Sequence, residues 1–154
     1  MSTKFEVSIE INLPISNLYT LFLDKSKFKH WKKDFIGYEP VSGTPAEVGS
    51  VTQLMYKRQN MLETIVSKNE PAAMTANYEH QQGGKTNMFH TVSNRFIALS
   101  ENKTRLEVET NITKIIGWFF KILIPLMAGA GKKYAQTQLN QLKVYAEAKE
   151  QTMP

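Results

Sequence analysis

The chain has 154 residues, 42% hydrophobic and 21% charged, with 19 basic against 14 acidic side chains for a formal net charge of +5. That length fits a single domain over 1–154, large enough to bury a core without staples. The absence of cysteine excludes disulfides, thiolate metal sites and a cysteine nucleophile. The positive charge is mostly lysine, without an arginine-rich cluster or groove-reading motif, and points to a solvated surface rather than to nucleic acid.

The N-terminus, Met1 to Glu6, is polar and lacks a signal-type apolar run, so the expected compartment is the cytoplasm. Phe5, Val7, Ile9, Ile11 and Leu13 then alternate with Lys4, Glu6, Ser8, Glu10 and Asn12, the period of a half-buried strand. Pro14 ends it. Ile15 to Leu23 and Asp24 to Lys33 read as two short helices, with Asp24 or Ser26 available to cap the second. From Phe35 onward the pattern predicts strands near 35–42, 50–58, 61–69, 73–82, 86–99 and 104–114. Gly43-Thr44-Pro45, Gly49, a turn at Gln59-Asn60, Pro71 and a Gly83-Gly84 hairpin divide them. Strands this close in sequence pair antiparallel, because parallel neighbours need long crossovers.

The last third changes character. An apolar stretch from Ile115 to Met127 leads into a helix that runs to about Glu150. The stretch from Ile115 to Ala130 falls short of the roughly 20 residues a membrane span needs and is broken by Lys121 and Pro125. Ile124, Ala128, Gly131, Ala135, Leu139, Leu142 and Ala146 form one apolar stripe, which must pack on the sheet. The small residues in its middle either bring the helix close to the sheet or leave a cavity beneath it. The cavity is the favoured reading. The predicted fold class is therefore α+β, a curved antiparallel sheet wrapped around a long C-terminal helix.

Turn positions predict the inner face. With Gly83-Gly84 as the hairpin turn, Tyr78 opposes Phe89 and Ala76 opposes Thr91; with Asn102-Lys103 as the next, Leu106 opposes Leu99, Val108 opposes Ile97 and Thr110 opposes Arg95. Both turns place Tyr78, Phe89, Thr91, Arg95 and Thr110 inside. A single bulge in the long strand would reverse half of it and turn His90, Asn94 and Phe96 inward instead.

This layout resembles the helix-grip fold of the START domains and the birch-pollen allergen family (the SRPBCC group), and most resembles its bacterial polyketide cyclase/dehydrase and lipid-transport branch. Pro14, Asp24, Trp31, Gly43, Gly49-Ser50, Glu63 through Pro71, Lys103-Thr104-Arg105-Leu106, Pro125-Leu126, Leu139, Leu142, Lys143 and Glu147 carry the resemblance. These residues mark a scaffold, whereas activity has to be argued from the site. The resemblance implies a hydrophobic small molecule held between sheet and helix. A minority of such proteins catalyse, and the heat-shock-protein-90 activator branch binds a chaperone.

His30, His80 and His90 lack metal-binding spacing, and no nucleophile elbow, phosphate loop or dinucleotide fingerprint is present, so neither metal nor cofactor is expected. Arg95, placed among Phe89, Thr91, Ile97 and Leu99, would need an anion, either a neighbouring carboxylate or the acidic group of a ligand. Tyr56, opposite Glu63 if Gln59-Asn60 is the turn, Tyr78 and Thr110 would offer hydroxyls in an apolar pocket. Lys25, Lys27, Lys29, Lys32 and Lys33 surround Phe28 and Trp31, a mixture that can bind a membrane surface or RNA, although with Trp31 packed on the scaffold the lysines form a solvated rim. Trp118, Phe119, Phe120, Ile122, Leu123, Leu126 and Met127 are too numerous for one helix face, so some should cover the cavity mouth, a partner or lipid.

The expected function is binding or transport of a lipid-like or polyketide-like molecule by Tyr56, Tyr78, Phe89, Thr91, Arg95, Thr110 and Met127. The first alternative is a cyclase or dehydratase using Tyr56, Tyr78 or His90 as acid or base and Arg95 to orient substrate. The second is a chaperone or membrane adaptor. Peripheral membrane contact, and a monomer as against a homodimer, stay open.

Overall fold

Alternation in the first strand sorts its side chains as its sequence predicts: Val7 and Ile11 are buried, while Lys4, Glu6 and Ser8 are exposed. The computed structural model, which describes residues 3–117 and 124–151, opens with this strand, β1 (Thr3–Ile11). Helix α1 (Ile15–Leu23) and a 3-10 helix (Lys25–His30) follow. Strands β2 (Phe35–Ser42), β3 (Val51–Tyr56), β4 (Asn60–Asn69), β5 (Ala73–Gln82), β6 (Lys85–Ser100) and β7 (Lys103–Ile115) lead to helix α2 (Ile124–Gln151). The strands make one curved antiparallel sheet in the order β1-β7-β6-β5-β4-β3-β2, so β2 to β7 meander and β1 pairs with the last of them.

The second short helix is 3-10 rather than α and ends at His30 instead of Lys33. Phe28 and Trp31, three residues apart, are both buried, and three residues is one turn of that tighter helix. Asp24 caps it, its Oδ1 accepting from the Ser26 amide at 3.0 Å and the Ser26 hydroxyl at 2.6 Å.

The Gly83-Gly84 turn forms with φ of 61° and 79°, the positive pair that a tight hairpin requires, and Gln82 opposes Lys85 as expected. Gln81 opposes Thr86 in the same register, and beyond that pair the expected register fails. His80 opposes Met88, which leaves Asn87 as an extra residue and sets Tyr78 opposite His90 rather than Phe89. At the other end Ser100 pairs with Lys103, so the turn is Glu101-Asn102, and a second irregularity at Leu99 sets Phe96 opposite Leu106 and Asn94 opposite Val108. Each bulge reverses the side chains beyond it and adds the bend that a 16-residue strand needs to wrap around a helix. The Gly83-Gly84 turn stands where expected and the second turn lies one residue earlier, but the register carried inward from each missed one bulge on the same strand, and the two agreed for that reason. The β5 and β7 residues of the predicted inner face, from Met74 to Tyr78 and from Leu106 to Ile112, do point inward, but on β6 it is His90, Val92, Asn94 and Phe96 that do so.

A smaller correction concerns the turn before β4. Met55 opposes Asn60 and the Tyr56 amide donates to Gln59 O at 2.9 Å, so Asn60 already belongs to the strand and Glu63 opposes Thr52, not Tyr56.

The two halves of α2 pack differently. In its second half Leu139, Leu142 and Ala146 are buried against Val7, Ile11, Leu18 and Leu106. Burying each such leucine is worth about 1.5–3 kcal/mol, which anchors this end of the helix. In its first half, Gly131 lies so close to β1 that a Cβ there would sit 3.1 Å from the Phe5 ring. Both expectations for the small residues are therefore met, close approach at Gly131 and open space beside Ala130 and Ala135. Met127 packs near Ile112 and Ile115, whereas Leu126 is 71% exposed. Trp118, Phe119, Phe120, Ile122 and Leu123 lie outside the described residues.

Candidate functional site

A cavity of about 650 Å³ lies between the concave face of the sheet and the first half of α2. That volume is within the range of sites for drug-sized molecules. One wall is apolar, with Phe5, Val7, Val108 and Ile112 from β1 and β7 facing Ala135 and Leu139 of α2. The opposite wall, from β4, β5 and β6 with the 3-10 helix, carries the polar groups.

Glu63 sits at the centre of that wall. Its position on β4 alternates inward with Met61 and Ile65, and its carboxylate is 3% exposed. Lys25 Nζ lies 2.8 Å from its Oε1, and the Tyr78 hydroxyl donates to its Oε2 at 2.7 Å. A buried charge of this kind persists only when paired and hydrogen-bonded, and here one carboxylate has both. Burial, and then the Glu63 charge, push the Tyr78 phenol well above its usual range. Burial likewise raises Tyr56, with smaller contributions from Tyr134 and Glu63. Both hydroxyls stay neutral donors.

Beside them runs an imidazole pair. The His90 ring stacks on Tyr78 at 5.0 Å, its Nδ1 lies 3.0 Å from His80 Nε2, and His80 Nδ1 lies 2.9 Å from Gln59 Oε1. Desolvation lowers His80 to about 4, and lowers His90 to about 3 with help from the His80 and Lys32 charges, so both rings are neutral near pH 7. With Gln59 Oε1 as acceptor, His80 Nδ1–H donates to it and His90 Nδ1–H donates to His80, which leaves a lone pair on His90 Nε2. Flipping the Gln59 amide reverses every donor and leaves a proton there instead. Asn94, buried on the same strand, donates from Nδ2 to Met74 O at 3.2 Å while its Oδ1 finds no partner among the described residues.

Of the sequence-predicted ligand contacts, Tyr56, Tyr78, Thr110 and Met127 line the cavity. Phe89, Thr91 and Arg95 do not, because the bulge at Asn87 turns them to the convex face. Arg95 is 63% exposed there and meets Glu107 at 2.7 Å and Glu6 at 3.4 Å; Thr91 donates to Asn77 Oδ1 at 2.7 Å. His30 stacks on Tyr145 at 4.7 Å, away from the cavity lining. Sequence reasoning passed over Lys25, Lys32 and Glu63 as site residues. An inward-parity glutamate in an apolar strand was a signal available for Glu63, since it demands a buried cation.

No family model matches the sequence, and no curated protein matches it by sequence. Solved structures do match the fold. Ara h 8.0201 superposes with a TM-score of 0.71 at 12% identity, over 96% of this chain and 99% of that one. The Zhui aromatase/cyclase from Streptomyces sp. R1128 gives 0.73 at 11% identity, over 96% and 94%. A protein from Arthrobacter aurescens gives 0.72 at 11%, over 94% and 86%. A seven-stranded curved sheet gripping a long C-terminal helix, shared with these proteins over nearly the whole chain, is the helix-grip fold.

Proposed function

We propose that the protein, acting as one domain over 1–154, binds or carries a small, mostly apolar molecule of lipid-like or polyketide-like character. The cavity of about 650 Å³ beneath the small residues of α2 is the observation that carries this reading. Apolar walls with a few convergent polar groups suit a ligand recognised first by shape and then by one polar end. Its size favours enclosure over a chaperone or membrane adaptor acting through its surface, and Lys25 and Lys32 of the basic segment line the cavity rather than a rim. The cytoplasm is the proposed compartment, whose reducing conditions a cysteine-free chain tolerates. Native mass spectrometry of freshly purified protein should reveal a retained molecule, and a neutral hydrophobic fluorophore should bind saturably at one per chain. Neither a retained molecule nor saturable binding would reject the reading.

A cyclase or dehydratase is the second reading, favoured by the free nitrogen of His90 next to the Tyr78–Glu63 pair. An imidazole within reach of an enolisable substrate can take a proton from its carbon, becoming imidazolium, while a neutral phenol such as Tyr56 donates to the enolate oxygen left behind. Deuterium exchange at the central carbon of a bound aryl 1,3-diketone, followed by NMR in heavy water, should be faster than in buffer and lost in His90→Asn. Exchange at the buffer rate removes this reading.

A further inference from the structure

The polar wall is not neutral. Lys25 and Glu63 cancel each other at 2.8 Å, and both imidazoles are uncharged near pH 7. Lys32 remains. Among the described residues no carboxylate comes within 4.0 Å of its Nζ, whose near contacts are the faces of Phe28 at 4.3 Å and Trp31 at 5.0 Å. Part of the side chain is accessible, and it lines the cavity together with His90 and Asn94. Desolvation, opposed by Glu63 and reinforced by Lys25, lowers its pKa to about 8, so the ammonium is still the main form at pH 7. Two aromatic faces stabilise a cation but do not neutralise it. Lys33, Asp34 and Arg58 also line the cavity but are exposed to solvent, so Lys32 is the poorly solvated positive charge on this wall whose counter-charge is missing among the described residues.

We propose that the ligand of this cavity is an amphipathic molecule with a single anionic oxygen group, carboxylate or enolate, seated against the ammonium of Lys32. This rests on the carrier reading and names the polar end of its ligand. The same end of the molecule would meet the second polar group of the wall, His90 Nε2, which donates in one tautomer of the His80–His90 pair and accepts in the other. The pair can thus adapt to a carboxylate or to a partly protonated enol. The role assigned by sequence to Arg95 passes to Lys32, since Arg95 already has two carboxylates on the outer face.

The test displaces a neutral fluorophore with dodecanoate, with its methyl ester and with a long-chain 1,3-diketone, in wild type, Lys32→Met, Lys32→Arg and Arg95→Met. Wild type should prefer dodecanoate to the ester by about tenfold or more, the size of one charge-assisted hydrogen bond. Lys32→Met should erase that preference, Lys32→Arg should keep it, and Arg95→Met should leave it unchanged. A loss in Lys32→Met confined to the diketone would identify an enolate rather than a carboxylate. Should the methionine variant fold poorly, Lys32→Gln with its Tm measured gives the same comparison. Equal affinity for acid and ester in wild type, together with a diketone indifferent to Lys32→Met, overturns the proposal and leaves the carrier reading standing. So does a preference for any of the anions that survives Lys32→Met. If the fluorophore binds but none of the molecules displaces it, the proposal falls and the carrier reading stands; if the fluorophore itself does not bind and no molecule is retained, both fall.

Discussion

The two faces of the sheet treat charge in opposite ways. On the convex face Arg95 shares Glu6 and Glu107 while 63% exposed, and Glu10 meets Lys103 and Arg105 at 3.2 and 3.4 Å, all in reach of water. On the concave face Glu63 is 3% exposed with one cation and one hydroxyl bound to it, and Lys32 lines the cavity with no carboxylate within 4.0 Å among the described residues. Coulomb attraction is screened on the first face and desolvation is small, so ion pairs there say little about function. On the second face every charge costs several kcal/mol unless matched, so an unmatched one is informative.

The largest expected effect breaks the inner pair. Glu63→Gln should lower unfolding free energy by about 3–5 kcal/mol, because Lys25 is left buried without its counter-charge, whereas Glu107→Gln should cost less than about 1 kcal/mol. Urea denaturation of both variants makes the comparison, and equal losses would mean that the inner pair is as well solvated as the outer one.

Acid provides the next contrast. His80 and His90 are held at about 4 and about 3, below the ordinary 6.5, so the unfolded chain takes up protons first. Stability is full above pH 6.5 and declines as pH falls toward 4, by up to about 1.4 kcal/mol per pH unit for each group. On the outer face Glu10, held low by its hydrogen bonds from Lys103 and Arg105, loses its contribution only below its ordinary 4.5. Urea midpoints between pH 7.5 and 5 should therefore fall in wild type and fall less in His90→Asn; a flat wild-type profile would contradict the buried neutral pair.

Filling the cavity tests space rather than charge. Ala135→Phe should weaken fluorophore binding at least tenfold, with a stability loss below the roughly 1–3 kcal/mol typical of an overpacked core. A larger loss of Tm with unchanged affinity would show that this part of α2 packs tightly. The smallest effect belongs to the convex face again: Arg95→Met should change stability by less than about 1 kcal/mol and leave binding untouched, as its exposed pairs imply. Any loss of anion binding in that variant would show that the register of β6 is wrong.

What the sequence determined by itself was local. Alternation in β1, the cap at Asp24, the glycine pair at 83–84 and the apolar stripe of α2 at Leu139, Leu142 and Ala146 are set by interactions within a few residues, and each forms where the pattern places it. The small residues of α2 likewise announced space beneath the helix, and Tyr78 and Thr110 could be placed at it because β5 and β7 keep their parity, while Tyr56 on β3 and Met127 on α2 also line it. What only the tertiary structure decided is the parity of β6. Bulges at Asn87 and Leu99 answer to the curvature of the whole sheet around α2, and a shift of one residue exchanges Phe89, Thr91 and Arg95 for His90, Asn94 and Phe96. The pairing of Lys25 with Glu63, and the isolation of Lys32 beside them, also belong to the fold, since they depend on where the 3-10 helix lands across the mouth of a curved sheet and on how much water is left there.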